Sequence, residues 1–254
     1  MRPPRRVNDI ACVSRIHFAR LKAEADPFLL AAFVFPAVMY LFASAIGSSE
    51  HALDEAHRVR FLAGSIVFSV SLTAVSWLGY LLLENRFTGR LRLFATLPLA
   101  PSSYVLGIVI FAVAQATAGT LALIGLARAY GVHNRLSTAS GVVALAIVIL
   151  LTVLCVCGLA VIIAARARSF SEGSLLTDTI GAGMVFLAPV YYSPDALPRV
   201  LRMISRILPT TYAAHGVSTT LNGGHAVGGD AVVLLAMAAT TMAIGFRVMR
   251  WRDE

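Results

Sequence analysis

Few side chains in this sequence could make or break a bond. Its single lysine, Lys22, follows Leu21 rather than a glycine, so the chain has no standard loop to cradle nucleotide phosphates. Neither H-E-x-x-H nor G-x-S-x-G occurs, and His51 and His57 lack the spacing that would set two zinc ligands on one helical face. Val227-Gly228-Gly229-Asp230 lacks the first glycine of an aspartyl intramembrane protease motif. His51, His57, His133, His215 and His225 all fall in polar connections, where solvation is their expected state. The three cysteines form no disulfide framework. Cys155 and Cys157, two apart in an apolar run, point to nearly opposite sides of a helix and read as small packing groups. The chain is therefore expected to bind no metal or cofactor of its own and to catalyse no reaction.

Charged groups also avoid the apolar runs. A charge at mid-membrane costs roughly 2.5–3.5 kcal/mol on insertion scales, and ion-coupled carriers keep such groups for their mechanism. Here Asp178 stands about one turn inside the inner end of one run, where snorkelling or a helix-start role explains it, and Gln115 stands in the middle of another. Both are candidates for lining a path. An ion-coupled secondary transporter or channel is the second reading that these residues leave open.

The densest functional signal is residues 81–107. Within them Phe87, Leu91, Phe94 and Leu97 recur at helical spacing, while Arg86, Arg90 and Arg92 fall mainly on the other side. This pattern predicts a short amphipathic helix lying where membrane meets water. Glu84 precedes it, Gly89 interrupts it, and Thr96-Leu97-Pro98 closes it.

The elements that position this segment follow from composition. With 58% hydrophobic residues, 13% charged residues and a mean hydropathy of +0.79, the chain is an integral membrane protein. Six apolar runs, 27–46, 61–83, 104–126, 141–165, 175–192 and 231–248, each have the length of a membrane-crossing helix. No clear small-residue cleavage site follows the first, so it reads as a retained span. Ahead of it, Val7, Ile10, Ala11, Phe18 and Leu21 predict an amphipathic helix lying in the plane of the cytoplasmic surface. Ala114, Ala118 and Ala122 give the third run a small-residue face suited to close helix packing. Between the fifth and sixth runs, Leu197, Val200, Leu201, Ile204 and Leu208 share one helical face, and Arg199, Arg202 and Arg206 share another. That helix would reach only about 18 Å, short of a hydrocarbon core about 30 Å thick. It enters part-way or lies on the surface, with Pro198 in its first turn and Pro209 ending it. If both termini are cytoplasmic, about two thirds of the 21 basic residues lie inside, as the positive-inside rule requires. The same rule accounts for the net charge of +8 without nucleic acid.

Taken in order, these parts resemble the membrane subunits of ABC exporters of the second type (ABC-2), which carry an acid, a glycine and a late proline between their second and third spans. The likeness covers nearly the whole chain. Phe186-Leu187-Ala188-Pro189-Val190-Tyr191-Tyr192-Ser193-Pro194, Leu197-Pro198 and Leu208-Pro209-Thr210-Thr211 look like the family's pattern before its sixth span. Leu208 and Thr211 depart from the Asn and following Leu or Val common there; exporters of the daunorubicin-resistance and nodulation-factor kind are similar.

The resemblance implies an all-α integral membrane protein forming one ABC-2 transmembrane domain over 1–254. It comprises an amphipathic helix (1–26), spans one to five (27–192), an extracytoplasmic re-entrant hairpin (193–229), and span six with a cytoplasmic tail (230–254). It implies a coupling helix between spans two and three, with Glu84, Arg86, Phe87, Gly89, Arg90, Leu91, Phe94, Leu97 and Pro98 facing a separate ATPase. That ATPase, in two copies, would bind the ATP and Mg. A second permease, identical or homologous, would complete a path at the first, second and fifth spans. The hairpin residues Pro198, Arg199, Arg202, Arg206 and Pro209 would cap that path, the arginines contacting lipid head groups or anionic parts of cargo. Cargo would be an amphiphilic drug, lipid or glycoconjugate leaving across a bacterial cytoplasmic membrane, with lipids as partners and no nucleic acid.

Overall fold

The computed structural model describes residues 5–23, 29–50, 55–97, 99–132, 136, 138–188, 198–224 and 227–249. Among them the regular structure is entirely helical, the expected outcome where lipid offers backbone amides no partner outside their own segment. Among the described residues four helices are long and apolar enough to cross a membrane.

Helix α1 (Arg5–Ala23) packs along the start of α5 (Pro101–Ala129). Gly107 permits the contact, since a Cβ there would lie 2.6 Å from Val13. His17 and Phe18 then meet the ring of Phe111 one turn further on. A π-helical turn, Leu30–Val34, leads into α2 (Phe35–Glu50). Phe35 donates to the Leu30 carbonyl five residues back. This wider turn suits the start of α2, because Pro36 has no N–H to give and its ring would crowd a carbonyl four residues back. Pro27 lies outside the described residues.

Helix α3 (Glu55–Phe87) is the centre of the bundle and touches α2, α5 and most later helices. Its 33 residues reach about 50 Å at 1.5 Å per residue, well beyond the run of 61–83, so it leaves the apolar layer still helical. Leu62, Ile66, Leu78 and Leu83 are fully buried on it. A short helix α4 (Arg90–Thr96) joins α3 to α5. Helix α6 (Ala139–Arg166) begins at Thr138, whose hydroxyl accepts from Gly141 N–H at 3.3 Å. Both Cys155 and Cys157 are buried in α6 as packing residues, and no cluster of metal-binding side chains occurs among the described residues.

Helix α7 (Phe170–Leu187) starts at a cap absent from the sequence reading: Ser169 Oγ accepts from Glu172 N–H at 3.1 Å, and Glu172 Oε2 accepts from Arg168 N–H at 2.8 Å. The helix therefore begins five residues before 175. Asp178 lies about two turns inside it instead of one. After 189–197, which are outside the described residues, come α8 (Arg199–Ser205) and α9 (Pro209–Leu221). Helix α9 packs on α3, α6 and α10 (Gly228–Val248). The α6–α10 contact is set by glycine: a Cβ on Gly158 would lie 2.5 Å from Thr241 Oγ1 and 2.8 Å from the Met242 backbone nitrogen. Thr241 itself donates to the Cys155 carbonyl at 3.1 Å.

Candidate functional site

The segment between α3 and α5 is a clasped reversal. Thr88 donates to the Glu84 carbonyl twice, from its N–H at 2.9 Å and its hydroxyl at 2.6 Å, which closes the end of α3. Gly89 then takes a left-handed φ of 77°. An added Cβ would meet nothing within 4 Å, so glycine is favoured by the backbone hand rather than by space. Across this turn Arg90 Nη1 donates to Glu84 Oε1 at 2.9 Å. Both partners are partly exposed, so the pair contributes at most about 1 kcal/mol and chiefly fixes the angle at which α4 leaves α3. Pro98 lies outside the described residues, and Pro101 opens α5 at a position where its missing N–H is harmless.

The residues expected on one docking stripe are divided by the fold. Leu91 and Phe94 pack against the protein's own core, Phe94 with its ring 5.0 Å from that of Tyr104. The Tyr104 hydroxyl in turn accepts from Asn85 Nδ2 at 2.5 Å in a buried contact. Phe87 and Leu97 point outward, 42% and 49% exposed, and Leu93, absent from the sequence stripe, is 68% exposed. Arg92 is exposed beside them.

Arg86 does not join that outer surface. Its Nη1 donates to the carbonyls of Ala164 and Ala167 at 2.8 and 2.9 Å. These are carbonyls at the end of α6 that lack helical partners, and the guanidinium sits on the negative end of that helix. It also lies 5.3 Å from the Phe87 ring. Arg86 thus ties the base of α3 to the base of α6. Arg86→Met keeps the stem and removes two charge-assisted hydrogen bonds, so a loss of about 1.5–3 kcal/mol is expected, read as a lowered Tm in detergent. An unchanged Tm would remove the capping role.

The second assembly lies between α2, α3 and α7. Close approach of α3 and α7 is permitted by Gly79 and Gly173, whose added Cβ atoms would lie 2.8 Å from Thr177 and 2.3 Å from Leu83. This brings Asp178 to Tyr80, whose hydroxyl donates to Oδ2, and to Ser76, whose Oγ is 3.5 Å from Oδ1. Ser76 and Tyr80 line an open apolar groove of about 580 Å³ with Leu30, Phe35, Leu72 and Trp77. Asp178 is therefore the polar edge of a groove. Gln115 is elsewhere: it is 3% exposed within α5 and its amide has no hydrogen-bond partner among the described residues.

In the hairpin, Pro198 caps α8, and Pro209 begins α9 rather than only ending its predecessor. Arg199 and Arg206 are exposed and Arg202 is half-buried. Val200, Met203, Ile204 and Ile207 form the exposed apolar face, while Leu201 and Leu208 turn inward. Thr210 Oγ1 donates to the Met184 carbonyl at 2.5 Å, which fixes the hairpin to α7, and Tyr212 donates to the Arg206 carbonyl at 2.8 Å within the hairpin itself. His215 Nδ1 lies 2.7 Å from Asp230 Oδ2 and joins α9 to the first turn of α10. His57 is exposed, whereas His51, His133 and His225 are outside the described residues.

Residues 12–222 match a family model described as ABC-2 type transporter. A search of curated proteins finds no match.

Proposed function

Because the chain belongs to the ABC-2 type transporter family and is thus the membrane permease of an ABC transporter, we propose that α4 with its flanks is the surface on which a separate ATPase docks. The observation that carries this reading is the reversal at Gly89. It holds a short helix rigidly against α3 and α5 while leaving Phe87, Leu93 and Leu97 outward with no packing partner in the chain's own core. Exposed large apolar groups at the aqueous end of a bundle suit a protein partner. ATP binding and Mg coordination belong to that partner, present in two copies, and closure of the ATPase pair pulls on α4. Glu84 and Arg90 hold α4 to α3 at the Gly89 turn, and Arg86 joins the end of α3 to α6, so the motion reaches the central span of the bundle.

In this reading six spans cross a bacterial cytoplasmic membrane with both termini inside, the π turn and α2 forming the first and α7 the fifth. Helix α1 lies at the inner surface, and α8 and α9 form the outer re-entrant hairpin. Two permeases, identical or homologous, enclose the path. The groove between α2 and α3 with Asp178 at its edge lies on the faces expected to line that path, whereas Gln115, buried within α5, is a second path-lining candidate. The cargo is an amphiphilic drug, lipid or glycoconjugate moving outward.

The test is co-purification of this chain from membranes with the product of the neighbouring reading frame, followed by an ATPase assay in lipid. A nucleotide-binding subunit that purifies with the chain, and whose hydrolysis rises several-fold on assembly, is the expected result. A chain that purifies alone in a stable assembly, with no ATPase bound, would overturn the docking assignment.

A further inference from the structure

Beside α4 the ends of three long helices enclose a cavity of about 410 Å³ that coupling does not explain. Arg86 enters from the last turn of α3, Arg166 from that of α6 and Arg247 from that of α10. No acidic residue lines it among the described residues. Arg86 is held by the two carbonyls of α6, but Arg166 and Arg247 make no ion pair or hydrogen bond among the described residues. Three cations around one opening repel each other, and the partial negative charge at each helix end offsets only about half of one. An anion among them would relieve this.

The remaining walls are apolar, including Leu82, Leu91 and Val161 from α3, α4 and α6. An inorganic anion would satisfy the arginines and leave those walls wet. A ligand with an anionic head and a hydrocarbon body covers both, and basic pockets between helices at a membrane surface select such head groups. We propose that this cavity binds the phosphate of an anionic phospholipid from the leaflet on the α4 side, its apolar part lying along the Leu82, Leu91 and Val161 walls. Arg166 and Arg247 hold the phosphate, with Arg86 beside it. Because Leu91 belongs to α4, an occupied cavity also braces that helix from behind. This lipid site stands whether or not an ATPase docks on the opposite side of α4.

The full chain, purified in detergent and exposed to an equal mixture of phosphatidylglycerol and phosphatidylcholine, tests this by native mass spectrometry. Wild type is expected to retain phosphatidylglycerol at least about 10-fold over phosphatidylcholine, and R166Q/R247Q to bring that ratio to about 1. All four of these arginines are exposed, but Arg60 and Arg168 do not line the cavity; R60Q/R168Q therefore removes the same charge elsewhere and is expected to leave the preference intact, which separates the cavity from general basicity. Equal retention of the two lipids by wild type overturns the proposal without any variant having to fold. An unchanged preference in R166Q/R247Q overturns it as well. Displacement of the lipid by millimolar glycerol phosphate would replace the lipid assignment with a site for a soluble phosphate ester.

Discussion

Serine at Phe87, Leu93 and Leu97 together is expected to abolish recovery of the ATPase with this permease and, with it, ATP-driven transport, while the permease itself stays folded. The three side chains are 42%, 68% and 49% exposed, so their truncation leaves no internal cavity and the intrinsic Tm should move little. If they fill pockets on the ATPase, each is an interface anchor costing about 2 kcal/mol or more when truncated. Even with incomplete additivity the sum is at least about 4 kcal/mol, or roughly a thousand-fold in Kd. The contrasting variant is Phe94→Ala. That ring lies against Tyr104 and the core, so its loss lowers Tm before it touches any partner. A triple variant that still brings down the ATPase at near wild-type affinity would refute the docking surface, and the titration of permease against immobilised ATPase reads the difference directly.

The other large effect is expected at Gly158. Any side chain there meets Thr241 Oγ1 at 2.5 Å, Thr241 Cβ at 2.7 Å and the Met242 backbone nitrogen at 2.8 Å. The last of these cannot swing away as a side chain can, so α6 and α10 must separate. Among the described residues helix α10 packs chiefly on α6 and α9, and most of its residues are not buried, so it has little else to hold it. Gly158→Ala should cost about 1–3 kcal/mol and Gly158→Val at least the upper end of that range, by overpacking and by loss of close helix contact. Thermal unfolding in detergent reads this, and protease access at the end of α10 reports its detachment. Adding Thr241→Gly should restore part of the stability by removing the two nearest atoms, but not all of it, because the Met242 nitrogen remains. Wild-type Tm in Gly158→Val would show that the two helices do not depend on this contact.

Much of the architecture is written in the chain as periodicity. The runs around 61–83, 104–126, 141–165 and 231–248 became helices α3, α5, α6 and α10, because in lipid only a helix or a closed barrel satisfies every backbone amide. The acid, glycine and basic helix of the segment between α3 and α5 were also legible, since Gly89 needs a left-handed φ and Glu84 stands six residues before Arg90. The start of α7 could have been read as well: Ser169-Phe170-Ser171-Glu172 is a capping signature. With that cap the helix starts at Phe170, which puts Asp178 one turn deeper than the apolar run alone implies.

The assignment of side chains to partners was not written there. Periodicity groups Phe87, Leu91, Phe94 and Leu97 on one stripe, but only the return of α5, with Tyr104 against Phe94, draws Phe94 inward and leaves Phe87 and Leu97 outside with Leu93. The basic side of the same helix gave no sign that Arg86 would leave it, because the carbonyls it meets are about 80 residues away at the end of α6. Likewise Gln115 and Asp178 look alike in sequence, as polar groups in apolar runs, and only packing puts one inside the bundle and the other beside a groove. The reason is common to all three. A hydropathy pattern fixes which residues share a helical face, but an apolar face is equally content against lipid, its own bundle or a second protein. The choice is made by whichever neighbour the close glycine contacts bring within reach.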